Sequence, residues 1–312
     1  MAYHFGCFFR FWIYDLYIFL KGGDLRGFKF TLTKFNPNPG LCQLTKIKRR
    51  PKIEKGHYKL KIMNKIPIFI TTFFLIFPWL LQAQTLPPAI INHGDQGHKQ
   101  IALTFDADMT NNMLAKLKKG TEKSLYNEEI VKILRQEKVS ATFFLTALWA
   151  KQYPDATKDL ANDSLFAIGN HSYRHQGFTT NCYGLEAIKE ETKAADFVES
   201  QTTLEKLTGK KPGLFRFPGG CYASSDVKLA NEAGLTVIGW DLASGDAFNP
   251  NTAAIVRNVL KNAKNGSIIV FHLSGGHYAP KTADALKMII PELRKQGFEF
   301  KTVPELLKPL QK

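Results

Sequence analysis

Seven short apolar runs, at 101–105, 141–146, 165–168, 214–217, 235–240, 267–273 and 298–303, alternate with amphipathic helical patterns, and few architectures accept that order. The helical patterns lie at 126–138, 185–207, 225–233, 252–263 and 282–295, apolar on one face and charged on the other. Strand then helix, repeated, predicts parallel strands whose crossovers cover the sheet. No Gly-x-Gly-x-x-Gly string follows any run, which argues against a doubly wound dinucleotide fold. The expected architecture is therefore α/β: a distorted (β/α) barrel with about seven parallel strands over residues 99–312. Residues 85–98, rich in Pro, Gly, His and Asn, read as a linker in front of it.

With 44% hydrophobic residues among 312, the chain is not of the disordered class. Its formal charge of +15 suits a nucleic-acid or membrane partner until the charge is located. Residues 1–62 hold 13 Lys/Arg against 3 Asp/Glu, leaving 29 against 24 for all the rest. The excess thus sits outside the alternating region, and a nucleic-acid partner is not expected. Met63-Asn64-Lys65 opens a charge-free run at 66–81, followed by Gln82-Ala83-Gln84. A basic start, an apolar core below the ~20 residues of a membrane span and a small residue near its end predict an export signal over 63–84. An uncleaved membrane anchor is the alternative. On this reading Met63 is the natural start and 1–62 is a basic segment upstream of it. The product is exported to periplasm, cell envelope or exterior, and its membrane contact is transient. Cys7 and Cys42 fall upstream, while Cys182 and Cys221 fall in the exported part. An oxidising compartment permits a disulfide between the latter pair, but spacing leaves two separate thiols equally open.

Reactive side chains gather at the C-terminal ends of the apolar runs. Asp106 and Asp108 end the first, His171 and His175 follow the third, Arg216 ends the fourth, Asp241 and Asp246 follow the fifth, and His272 ends the sixth. In a β/α barrel those ends open onto one face. Two imidazoles and one carboxylate hold a divalent ion at three positions and leave a fourth for water. The second carboxylate is then free to act as a base, which predicts a metal-dependent hydrolase. Each residue alone has a plainer reading. An Asp at a strand end caps helices, and one His-x3-His is a weak signal. Arg216 suits a surface ion pair, Asp246 a turn beside Gly245, and His272 a core position. Their coincidence at five strand ends favours a site.

Five ordered strings then carry a family resemblance: Thr104-Phe105-Asp106-Ala107-Asp108, His171-Ser172-Tyr173-Arg174-His175, Arg216-Phe217-Pro218-Gly219-Gly220, the stretch 241–246, and Val270-Phe271-His272. Over about residues 99–303 the chain resembles polysaccharide deacetylases of the NodB-homology type, the fourth carbohydrate esterase family. That family's motifs are written TFDD, H-[ST]-x-x-H, R-x-P-Y, D-x-x-D-W and L-x-H. The resemblance implies that Asp106 is the base, that Asp108, His171 and His175 bind the metal, and that Arg216 pairs with the base carboxylate. It implies His272 as general acid with its charge supported by Asp246, and Gly219, Gly220, Tyr222 and Val270 along the oxyanion and substrate side. The implied cofactor is Zn²⁺, with Co²⁺ or Ni²⁺ as alternatives.

The implied reaction removes N-acetyl groups from amino sugars of the N-acetylglucosamine type in a cell-wall or extracellular polysaccharide. An O-acetyl esterase acting on a polysaccharide such as xylan, and a non-catalytic carbohydrate-binding protein, are the alternatives. Four positions depart from the family pattern. Ala107 separates the two aspartates, Gly219 stands in place of Tyr, Ala247 in place of Trp with Phe248 beside it, and Val270 in place of Leu. Together they predict a more open cleft. Gly275-Gly276 and His277 suggest a mobile loop over the site. Trp149, Tyr173, Phe178 and Tyr222 are candidates to stack on sugar rings, although each also suits core or rim packing.

Overall fold

The computed structural model describes residues 90–308. The basic segment 1–62, the signal expected at 63–84, Cys7 and Cys42 lie outside the described residues. Among the described residues no helix is long and apolar enough to cross a membrane.

Among the described residues nine strands form one sheet: β1 (Ile90–Ile91), β2 (Gln100–Ala107), β3 (Ala141–Leu145), β4 (Phe166–Asn170), β5 (Leu214–Phe215), β6 (Thr236–Ile238), β7 (Leu242–Ala243), β8 (Ile268–His272) and β9 (Glu299–Phe300). Every pairing is parallel. The order is β1-β6-β5-β4-β3-β2-β8-β7, with β9 added to β2. The path ends at β1 and β7, so the expected distorted α/β barrel is present in an open form. All seven expected runs contain a strand. The two extra strands have only two residues each, too few for any period; pairing with a neighbour makes them. Ile90–Ile91, in the stretch expected to be linker, lies along β6, where Gly239 N–H donates to the Ile91 carbonyl at 2.9 Å.

The covering helices are α1 (Asn111–Lys118), α2 (Glu128–Gln136), α3 (Ala147–Gln152), α4 (Pro154–Asn162), α5 (Lys193–Thr208), α6 (Ser224–Glu232), α7 (Thr252–Asn262), α8 (Thr282–Lys295) and α9 (Val303–Leu306). The helix expected at 185–207 starts only at Lys193. The residues before it belong to a loop closed by a bridge between Gly177 and Ala187, then a 3₁₀ turn at Glu190–Thr192. α1, α3 and α4 follow no long apolar period and are set by local chemistry instead. Thr110 and Thr146 accept N–H bonds from Met113 and Trp149 as N-caps, and Pro154 occupies the first turn of α4.

Strand alternation divides the side chains into two layers. Leu103 and Phe105 of β2, Phe143 of β3 and Ile269 and Phe271 of β8 join the large core under the helices, with Ile130 and Leu134 of α2 and Ile289 and Leu293 of α8. Their neighbours Ala102, Phe144 and Ile268 face the barrel interior, where Val303 and Leu306 of α9 join them near the strand starts. Polar residues of that interior layer, Thr104, Asp106 and His272, therefore come toward the strand ends. Gly169 permits the interior to close, since it pairs with Phe144 across β3 and β4 and a methyl group there would sit 2.5 Å from the Phe144 ring. That ring carries the Arg216 guanidinium 4.0 Å from its centroid. Gly169→Ala is expected to destabilise the fold by about 1–3 kcal/mol through overpacking, read as a lower urea midpoint.

Candidate active site

Asp106 and His272 are register partners on β2 and β8, and Asp108 follows one residue past the end of β2. The interposed Ala107 packs into the core under the helices. Spacing the aspartates by one residue therefore keeps both carboxylates on the interior side, because side chains alternate along a strand.

Asp108 meets two imidazoles. Its Oδ1 lies 3.3 Å from His171 Nε2 and 3.2 Å from His175 Nε2. One ligand atom from each of these residues falls within 4.8 Å of the others. Asp108 Oδ1 and His171 Nε2 are buried without a hydrogen-bond partner, an arrangement that native interiors avoid unless something else satisfies such atoms. His171 Nδ1–H donates to the Arg216 carbonyl at 2.8 Å, which leaves the Nε2 lone pair aimed at Asp108. That is the outer-shell pattern of a metal-binding histidine. Burial, only partly offset by Asp108, pushes His175 down to about 4, so its ring is neutral and able to ligate at pH 7. Burial opposes ionisation of Asp108 as well, yet the three surrounding histidines hold its carboxyl below the usual range. The residues fit a divalent cation.

The loop bearing the histidines is held in an uncommon shape. Ser172 and His175 have φ of +70° and +58°, left-handed values that cost a Cβ-bearing residue about 1–2 kcal/mol. Asn170, at the end of β4, fixes the loop: its Oδ1 accepts from Ser172 N–H at 2.9 Å, while its Nδ2 donates to Ser200 and Gln201 of α5. Asp196 of α5 accepts from Tyr173 N–H.

Arg216 is fully buried, which replaces the surface-pair alternative. Its Nη1 donates to Asp106 Oδ1 and to Thr104 Oγ1, both at 2.8 Å, and its Nη2 donates to the Gly239 carbonyl at 3.0 Å. Asp106 Oδ2 is left 3.7 Å from His171 Nε2, beside the Asp108–His171–His175 cluster. His272 Nε2 is 3.9 Å from the other carboxylate oxygen of Asp108, Oδ2. His272 Nδ1–H donates to Asp246 Oδ1 at 2.8 Å. Asp246 Oδ2 accepts from His272 N–H and from Thr282 Oγ1, and Ser244 Oγ donates to Oδ1. Burial disfavours the imidazolium, but Asp246 outweighs it, with smaller help from Asp108 and Asp106, and pushes His272 up to about 10.

The remaining expectations fare unevenly. Asp241 is not in the site: its carboxylate accepts from Ile268 N–H and Ser267 Oγ at the opposite end of β8. Trp149 and Phe178 are core residues, 0% and 2% exposed, and cannot stack on a ligand. Tyr222 is exposed at the rim and Tyr173 half-buried. Val270, on the same face as His272 and opposite Thr104, lies one layer beneath it. Gly219 and Gly220 lie in the tight turn after β5, both left-handed with φ of +61° and +67°. Cys182 and Cys221 form a disulfide with Cα atoms 5.9 Å apart, beside that turn.

A family model described as Polysaccharide deacetylase matches residues 93–238. Over 185 residues the chain is 36% identical to a peptidoglycan-N-acetylglucosamine deacetylase of Bacillus cereus, covering 59% of this chain and 82% of the relative. The chain belongs to the polysaccharide deacetylase family. Solved structures share its fold, two of them as follows. A family 4 carbohydrate esterase pseudoenzyme from Bacillus anthracis aligns with a TM-score of 0.59 at 26% identity, over 72% of this chain and 70% of that one. A peptidoglycan N-acetylglucosamine deacetylase, solved with a benzamide-type ligand, aligns with a TM-score of 0.59 at 28% identity, over 70% and 92%. A pseudoenzyme among the neighbours means that the polysaccharide deacetylase fold alone does not secure turnover, so activity must be argued from this chain's own residues.

Thr104, Ser244, Thr282, Asn170 and Asp196 of this family member were not singled out from the sequence. Thr104 sits inside the first motif, and strand alternation puts it on the face of Asp106. Thr282 reaches Asp246 from a helix 36 positions onward, with no local mark of it. Thr282→Val is expected to remove one of the bonds to Asp246 and cost about 1–2 kcal/mol, seen as a lower unfolding midpoint with the metal content unchanged.

Proposed function

We propose that this protein is an exported, metal-dependent deacetylase that removes acetyl groups from N-acetylated amino sugars of a cell-wall polysaccharide, releasing acetate and a free amine. The observation that carries the reading is that two differently supported groups border the Asp108–His171–His175 cluster: Asp106, tied down by Arg216, lies 3.7 Å from His171, and His272, backed by Asp246, lies 3.9 Å from Asp108. An amide hydrolase needs both a base and an acid, held apart.

Asp108, His171 and His175 would hold the cation, Zn²⁺ by donor type, with Co²⁺ or Ni²⁺ also suited to two imidazoles and a carboxylate. A bound divalent ion supplies Lewis acidity, polarising the acetamide carbonyl and making water a better nucleophile at neutral pH. Asp106 Oδ2 takes the proton from that water, because Oδ1 is engaged by Arg216. His272 Nε2–H gives a proton to the sugar nitrogen as its bond to the acetyl carbon breaks, and Asp246 stabilises the imidazolium until then. Gly220 N–H is already bonded to the Phe217 carbonyl, so of the two glycines Gly219 is the one proposed to help hold the oxyanion. Val270 and Tyr222 would bound the substrate side. The charge-free run at 66–81 and the peptidoglycan activity named for the Bacillus cereus relative support export to the cell envelope.

Acetate release by the full-length protein, loaded with Zn²⁺ or Co²⁺, is compared on an N-acetylglucosamine oligomer and an acetylated xylan. Release from the oligomer alone is expected. Release from xylan alone would make the protein an O-acetyl esterase, and binding without release would make it a carbohydrate-binding member of the family.

A further inference from the structure

Tyr183 is 87% exposed, the most exposed large hydrophobic side chain among the described residues. Solitary exposed rings are ordinary on protein surfaces, but this one is held there by structure. Its backbone is left-handed, with φ of +48°, between Asn181 at +61° and Gly184 at +77°. A residue with a Cβ adopts that conformation at a cost, which persists where the surroundings enforce it.

Three constraints enforce it here. Gly177 N–H bonds to the Glu186 carbonyl and Ile188 N–H to the Gly177 carbonyl, both at 2.9 Å, closing the loop at its base. Phe178 anchors that base among the rings of Phe197, Phe215 and Phe217. The Cys182–Cys221 disulfide, adjacent to Tyr183, ties the loop tip to the turn that carries Gly219.

The ring stands against the turn that carries Gly219. A methyl group on Gly219 would come within 2.8 Å of Cys182 Sγ and 3.3 Å of Tyr183 Cδ2. The space over Gly219 is thus taken by the disulfide and the edge of the Tyr183 ring, both brought in from the loop after β4. Tyr183 reaches none of Asp106, Asp108 or His272, so it cannot take part in the reaction. It is an exposed, flat apolar surface beside Gly219, the proposed oxyanion donor.

We propose that Tyr183 is a substrate-positioning residue, a platform on which the sugar next to the one being deacetylated stacks its apolar face. The inference rests on the polysaccharide reading above, and its test is separable from that reading. Affinity of the full-length, Zn²⁺-loaded protein for N-acetylglucosamine and for its tetramer is measured by calorimetry, alongside acetate release and metal content. Tyr183→Ala is expected to weaken tetramer binding and raise KM about tenfold. The monomer affinity, kcat and the metal content should hold, and Tyr183→Phe should stay within about twofold of the wild type because stacking needs the ring and not the hydroxyl. The Cys182→Ser/Cys221→Ser double variant should reproduce part of the tetramer loss.

Equal weakening on monomer and tetramer, a Phe variant as poor as Ala, or no change in Tyr183→Ala would overturn the platform. Failure of the wild type to bind the tetramer would overturn it also. A wild type that binds the tetramer yet releases no acetate would instead refute the catalytic reading, and the affinity ratio would still judge Tyr183.

Discussion

Asp108→Ala protein is expected to emerge from dialysis without bound metal and to hydrolyse acetamides at no more than about a thousandth of the wild-type rate. The size follows from the loss of several kcal/mol of electrophilic stabilisation, each 1.36 kcal/mol being about a tenfold change. Asp108 Oδ1 is the atom both imidazoles approach, at 3.2 and 3.3 Å, so without it the cluster loses the one carboxylate placed to ligate with them. Folding should survive, because Asp108 follows the last residue of β2 and its Oδ1 holds no hydrogen bond. Metal content by atomic emission, set beside circular dichroism and acetate release, checks the three parts separately. Retention of both metal and rate would remove Asp108 from the ligand set.

The second large effect concerns the acid. His272→Ala is expected to lower kcat by about 10²–10⁴, with metal binding retained. Asp246→Asn asks a sharper question. On the proposed mechanism His272 must be protonated, so activity is expected to fall as pH rises through its folded-state pKa. Burial works against the charged ring and Asp246 overcomes it, lifting the value to about 10 in the metal-free protein. A bound cation opposes the imidazolium and brings the alkaline limb below that. With Asn at 246 the limb should move down further, toward or below the ordinary value of about 6.5, while the low-pH side of the profile stays put. The same pairing contributes stability that is complete below about pH 6.5 and withdrawn as pH climbs toward the raised value. The Asn variant should accordingly lose most of its stability deficit at high pH. An unshifted alkaline limb would mean that another group supplies the proton.

Much of this was legible before any coordinates, and for a physical reason. Parallel strands buried on both faces read as apolar runs, and a barrel gathers their C-terminal ends. Asp106, Asp108, His171, His175, Arg216, Asp246 and His272 could therefore be assembled from linear position alone. Asp241 was misplaced because its number puts it after a run, while its backbone enters β7 at the start of that short strand and faces the other end of β8. Thr282 and Asn170 were invisible because their roles depend on which helix lies beside which strand. The disulfide stayed open for the same reason, since 39 residues of sequence say nothing of a 5.9 Å separation. Two-residue strands such as Ile90–Ile91 have no pattern to read.

β2 has neighbours on both sides that the chain supplies at very different times. β3 follows within a few dozen residues, but β8 and β9 come from the last fifth of the sequence. The Thr104–Ile269 bond spans 165 positions and the Arg216–Asp106 bond 110. Closing such distances is slow and is rewarded only once both ends are present. A chain leaving a ribosome or a translocation pore therefore carries Asp106 and Asp108 on a strand with one open side until its final segment appears. Completion of the candidate site is therefore expected to be a late event in folding, one that waits for the last fifth of the chain.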